Sequence, residues 1–136
     1  MSYSMAASLQ SAVFQHLESD AALQALVGSA IYDAAPPGQM PGTYVALGPE
    51  DVSDLSDQTH LGAAHEFTVT VVTDVAGFHA AKQVAAAISE RLLDADLTLT
   101  RGRLIGLSFV RAKAERTAKG TQRTIDLRFR ALVEDT

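Results

Sequence analysis

The chain has 136 residues, 20% of them charged, no cysteine, and a formal net charge of −5. That length suits one domain, residues 1–136, with a single sizeable core. Disulfides are excluded, and an apolar share of 47% argues against disorder. The N-terminal stretch MSYSMAASLQSAVFQHLESD has no basic start, and Gln, His and Glu interrupt its apolar residues, so it does not read as a signal peptide. No run approaches the ~18 apolar residues of a membrane span, and a soluble protein is expected.

In chain order, residues 4–18 read as an amphipathic helix, with Met5, Leu9, Ala12, Val13 and Leu17 on one face. Asp20 is a good N-cap for a short helix or a continuation, with Leu23, Leu26 and Val27 apolar and Gly28 at its end. Residues 30–33 suit a short extended piece, PPGQMPG (36–42) a loop, and TYVALG (43–48) a strand. Residues 49–63 read as a long polar loop carrying Glu50, Asp51, Asp54 and Asp57. EFTVTVVTDV then alternates: Phe67, Val69, Val71 and Val75 on one side, Glu66, Thr68, Thr70 and Asp74 on the other. Residues 78–94 form the second main helix, with Ala81, Val84, Ala85, Ile88 and Leu92 as its core stripe.

Two strands close the chain, 103–115 and 121–133, with a turn near Gly120. Ile125, Leu127, Phe129, Ala131 and Val133 share one face of the second. The first changes phase: Ile105, Leu107 and Phe109 share one parity, and Val110, Ala112 and Ala114 the other. Either a bulge lies near Phe109 or the distal half buries a different face. Strands this long span roughly 40 Å, against about 37 Å for a compact domain of this size. The tip, about residues 111–124, is therefore expected to project beyond the sheet. The fold class is α+β: a four-stranded, mostly antiparallel or mixed sheet with two main helices on one face and a long protruding β-hairpin.

Charge is unevenly placed. Residues 1–100 hold two bases and twelve acids; residues 101–130 hold nine bases and two acids. Such asymmetry points to a partner. Nucleic acid is one reading, but Phe109 and Phe129, the local aromatics, sit at core positions and offer no stacking platform. A protein–protein contact fits better. No nucleophile elbow, phosphate loop, dinucleotide fingerprint or zinc-protease motif is present. His16, His60, His65 and His79 match no common zinc spacing and read as unrelated surface or boundary residues. The acidic segment lacks the Gly and Glu of a calcium loop. No cofactor is expected.

The order of these elements resembles the tail-completion, or tail-terminator, proteins of long-tailed bacteriophages and phage-derived particles. The resemblance covers nearly the whole chain. It runs from LQALVGSAIYD through TYVALG, HEFTVTVVTDVAG and AAKQVAAAISERLL to LTLTRGRLIGLSFVRA and TQRTIDLRFRALVE. It implies a structural virion protein, assembled in a bacterial cytoplasm, with no catalytic residues. It also implies a ring, typically of six copies, at the head-proximal end of the tail tube. Such a ring stops tube polymerisation, meets the head-side connector, and lets DNA pass without reading its sequence.

A head-to-tail ring needs two unlike patches on each copy. The acidic segment (Glu50, Asp51, Asp54, Asp57) and the basic hairpin (Arg111, Lys113, Arg116, Lys119, Arg123) are the candidates. The alternatives are another head–tail joining protein of the same assembly, or a small α+β domain holding a ligand between sheet and helices.

Overall fold

The computed structural model describes residues 3–34, 42–93, 95–117 and 120–135. The chain begins with α1 (Ala6–Glu18), which buries Leu9, Val13 and Leu17 at four-residue intervals along one stripe. Next comes α2 (Ala21–Val27). Its N-cap is Asp20, whose carboxylate accepts from Leu23 N at 2.9 Å, and Gly28 ends it at φ 62°. The other oxygen of Asp20 accepts from Arg91 Nε. Arg91 lies in α3 (His79–Leu93), whose buried face is Ala81, Val84, Ala85, Ile88 and Leu92, the stripe read from the sequence.

The sheet has five strands, not four: β1 (Ile31–Tyr32), β2 (Thr43–Asp54), β3 (Leu61–Thr73), β4 (Arg103–Arg116) and β5 (Arg123–Asp135). Their order is β1-β2-β3-β5-β4, with β1 parallel to β2 and the other neighbours antiparallel. β3 and β4 therefore run the same way, joined through α3, with β5 inserted between them. Alternation sorts the two faces. Val45, Phe67, Val69, Val71, Ile125, Leu127, Phe129 and Ala131 turn toward the helices and join one core with them. Phe129 is fully buried, 5.7 Å from Phe67 and 5.9 Å from Phe109 between ring centroids. The opposite face is mostly polar, with a small cluster of Tyr44, Ala46 and Val72 toward one end and Ala64 beside Leu132 toward the other.

The structure corrects four further expectations. Of the loop read at 49–63, residues 49–54 and 61–63 are strand: β2 runs through Asp54 after a register shift between Leu47 and Glu50 that absorbs Gly48 and Pro49, and β3 begins at Leu61. Proline is tolerated in a sheet at such irregularities. The hairpin does not overhang the sheet along 111–124, because β3 is equally long and pairs with β5 as far as Thr73↔Arg123. Thr73 is buried while Val75 is exposed, so the alternation of β3 ends two residues earlier than expected. His65, read as a surface or boundary residue, is fully buried. The proline-rich loop read at 36–42 lies, apart from Gly42, outside the described residues.

The phase change in β4 proves to be two irregularities, between Leu104 and Gly106 and between Phe109 and Arg111. The second is the bulge read near Phe109.

Candidate functional site

The four acids divide into two pairs. Glu50 is committed inside the fold: Tyr3 Oη donates to its Oε1 at 2.5 Å, and His65 Nδ1 lies 3.0 Å from its Oε2. The hydrogen bond to Glu50 and the carboxylate's charge raise the Tyr3 hydroxyl pKa. Asp51 reaches across β3 to Arg128, 2.6 Å away, on β5. Asp54 and Asp57 instead shape the turn between β2 and β3. Asp54 accepts from Ser56 Oγ at 2.6 Å, which holds its pKa below the ordinary carboxylate value. Asp57 accepts from the backbone N–H of Thr59 at 2.9 Å and of His60 at 2.7 Å, with the same effect. Both side chains belong to exposed residues.

The bases divide similarly. Arg101 pairs with Asp135 through two hydrogen bonds of 3.1 and 2.8 Å, and Arg103 with Glu134 at 3.3 Å. Part of the basic block therefore answers the acids of the chain's own last residues. Arg123 donates to Val75 O at 3.3 Å and sits 5.6 Å from the centroid of the Phe78 ring. Lys113 is 3.5 Å from Glu115. Among the described residues, neither Arg111 nor Arg116 has an acidic partner. Lys119 lies outside the described residues. Register places Arg111 opposite Arg128 and Arg116 opposite Arg123. Like charges facing each other across strands are unfavourable, so an acidic partner would relieve both pairs.

The faces differ as well. Arg111 and Lys113 align with Arg128 and Asp126 on the helix-free face, whereas Arg116 and Arg123 share the parity of Ile125 on the helix side. The two turns lie at opposite ends of the sheet. Leu61, just after the acidic turn, pairs with Asp135, and Arg123, just after the basic turn, pairs with Thr73. The 13 residues of β3 between these levels span about 40 Å. The tips of the two candidate patches therefore cannot meet within one chain.

β4 forms one edge of the sheet, and no residue along it is fully buried. Ile105, Phe109 and Val110 are 51%, 43% and 42% exposed. The cleft between α1 and the sheet, lined by Leu9, Val13, Leu47 and Phe67 among others, holds about 20 Å³. That is room for one water, far below the ~300 Å³ at which ligand pockets begin. Among the described residues no group of three or more His, Asp or Glu could hold a metal ion, and no helix is long and apolar enough to cross a membrane.

Sequence reasoning missed the Tyr3–Glu50–His65 group. A signal was present: His65 has the parity of Phe67, Val69 and Val71, so extending that alternation back two residues buries it.

The sequence model described as tail completion protein gp17 matches residues 11–134. The chain belongs to the tail completion protein gp17 family. A solved chain in a structure titled "Virion of native gene transfer agent (GTA) particle" is similar, with 60% identity and a TM-score of 0.91 over 98% of this chain and 99% of that one. No curated protein sequence matches. As a member of the tail completion family the chain is a structural component of a phage-like tail or neck, not an enzyme.

Proposed function

We propose that this tail completion protein forms a ring, of about six copies, on the head-proximal end of a tail tube in a phage-like particle. There it ends tube growth and offers a face to the head-side connector, while DNA passes through the opening without being read. The observation that carries this reading is the open edge of β4. Fourteen residues of edge strand carry three exposed large apolar side chains. The two irregularities of β4 limit backbone pairing along it, but the exposed apolar side chains remain to be covered. A neighbouring copy covers them in a ring. Asp54 and Asp57 at one end of the sheet, and Arg111, Lys113, Arg116 and Arg123 toward the other, are the charged groups proposed to orient that contact, together with Lys119. The similar chain's place in a gene transfer agent virion agrees with this setting.

Light scattering and mass photometry of the purified protein, alone and with tail tubes, test the reading. A closed oligomer of about six copies that binds tube ends and stops their elongation is expected. A protein that stays monomeric in both conditions while tubes lengthen unchecked contradicts it.

A further inference from the structure

A groove of about 260 Å³ runs between α3 and the distal half of the β4–β5 hairpin. Its floor is apolar: Phe109, Ala112, Ala114, Ile125 and Leu127, with Ala85 on the helix side. The groove exists because of a mismatch in length. A 15-residue helix is about 22 Å long, roughly half the ~45 Å of a 14-residue strand, so α3 cannot cover β4. At its outer end stand cations. Lys82 lines it, and Arg116, two residues after Ala114, and Arg123, two before Ile125, lie on the same face.

The matching surface is elsewhere on the same chain. The β2–β3 turn exposes two leucines, Leu55 at 50% and Leu61 at 52%, beside Asp54 and Asp57. Apolar anchors flanked by acids face an apolar floor flanked by bases. The turn cannot fold back onto its own groove: the groove lies at the level of Val69 and Val71, eight to ten residues along β3 from Leu61, or about 30 Å.

We propose that the β2–β3 turn of one copy seats in the α3–β4–β5 groove of the next, with Leu55 on the apolar floor, Leu61 packing from the other side of the turn, and Asp54 and Asp57 toward Lys82 and Arg116. The contact joins unlike surfaces, as a head-to-tail interface requires, with apolar burial holding and charge orienting. This assignment rests on the ring reading and names the surfaces that make it.

The chain has no cysteine, so introduced pairs report without background. In the full-length protein, Leu55→Cys with Ala112→Cys should form disulfide-linked multimers under mild oxidation, seen on a non-reducing gel. Leu55→Cys with Lys113→Cys, one residue along but on the other face of β4, should not. In an otherwise unaltered chain, Leu55→Ser with Leu61→Ser should reduce the oligomer measured by mass photometry while leaving the melting temperature within a few degrees. Rings that form normally with no cross-link above the Lys113 control overturn the groove assignment and leave the ring reading intact. Cross-links only to a tube or connector subunit also overturn it, by giving the groove a different occupant. Monomers in every condition overturn both readings.

Discussion

Arg128 and Asp51 clamp three strands: the guanidinium on β5 reaches over β3 to a carboxylate 2.6 Å away on β2, with Glu66 of β3 at 3.5 Å. One of the nine bases in 101–130 is thereby neutralised within its own chain, and Arg101 and Arg103 are paired with Asp135 and Glu134. Lys113 lies beside Glu115, so among the described bases of this stretch Arg111, Arg116, Arg123 and Arg130 are left without an acidic partner, and Arg116 stands at the end of the groove. Lys82→Glu with Arg116→Glu should weaken ring formation and flatten its salt dependence, since exposed pairs each contribute only ~0–1 kcal/mol and act mainly by orienting. Adding Asp54→Lys with Asp57→Lys should restore part of the association. Rings that persist but no longer join tube or connector would place the contact along the particle axis. If only DNA passage suffers, these bases serve nucleic acid rather than protein.

Phe129 sits under α3 with aromatic neighbours on both adjoining strands, Phe67 and Phe109. Removing its ring leaves a cavity that long paired strands cannot collapse into. Phe129→Ala should lower unfolding free energy by ~3–5 kcal/mol in urea titration. An unchanged midpoint would mean that the core is organised around other residues.

Asp20 serves two elements at once, capping α2 through Leu23 N and accepting from Arg91 of α3. Asp20→Ala should cost about 1–2 kcal/mol through the lost cap alone. Asp20→Asn, which keeps a capping oxygen and loses the charge, should cost less. Equal losses for the two would assign the effect to the ion pair instead.

Asp57 predicts a pH response at the acidic turn. Its folded pKa is lowered from the ordinary 3.8 by the amide hydrogens of Thr59 and His60. The turn's extra stability is therefore complete above 3.8 and disappears as pH falls through the lower folded value. In an NMR titration the Thr59 and His60 amides should shift with a midpoint below that of the same turn in an unstructured peptide. A midpoint at or above the peptide's would remove the carboxylate from this role.

Helical stripes and the alternation of β3 and β5 were readable because each has one buried face, and burial imposes a period on composition. The α3 stripe and the odd-numbered residues of β5 are the clearest cases. The outer half of β2 was not readable. Its residues 49–54 are edge strand beyond the reach of β1, which pairs only at Val45 and Ala46; Glu50 and Val52 turn inward and Asp51 and Ser53 outward, but an inward glutamate and a proline hide that alternation from composition. The charged patches were visible as composition, but not which of their members are satisfied internally. The links from Glu50 to Tyr3 and from Asp51 to Arg128 cross 47 and 77 residues of sequence, a separation at which spacing carries no signal. The groove was hidden for a related reason, since it arises from the relative lengths of a helix and a strand and from no motif in either.

The two irregularities in β4 divide its free edge into short runs. A strand arriving from another molecule could match the hydrogen-bonding rhythm for only a few residues before meeting a break, and each break adds local twist. An unbroken ladder would accept any extended peptide and continue into a fibre. An edge interrupted near Ile105 and again near Val110 rewards a neighbour that fits by side-chain shape and penalises one that offers only backbone. The same interruptions let a long, partly apolar edge stay open without templating a fibre.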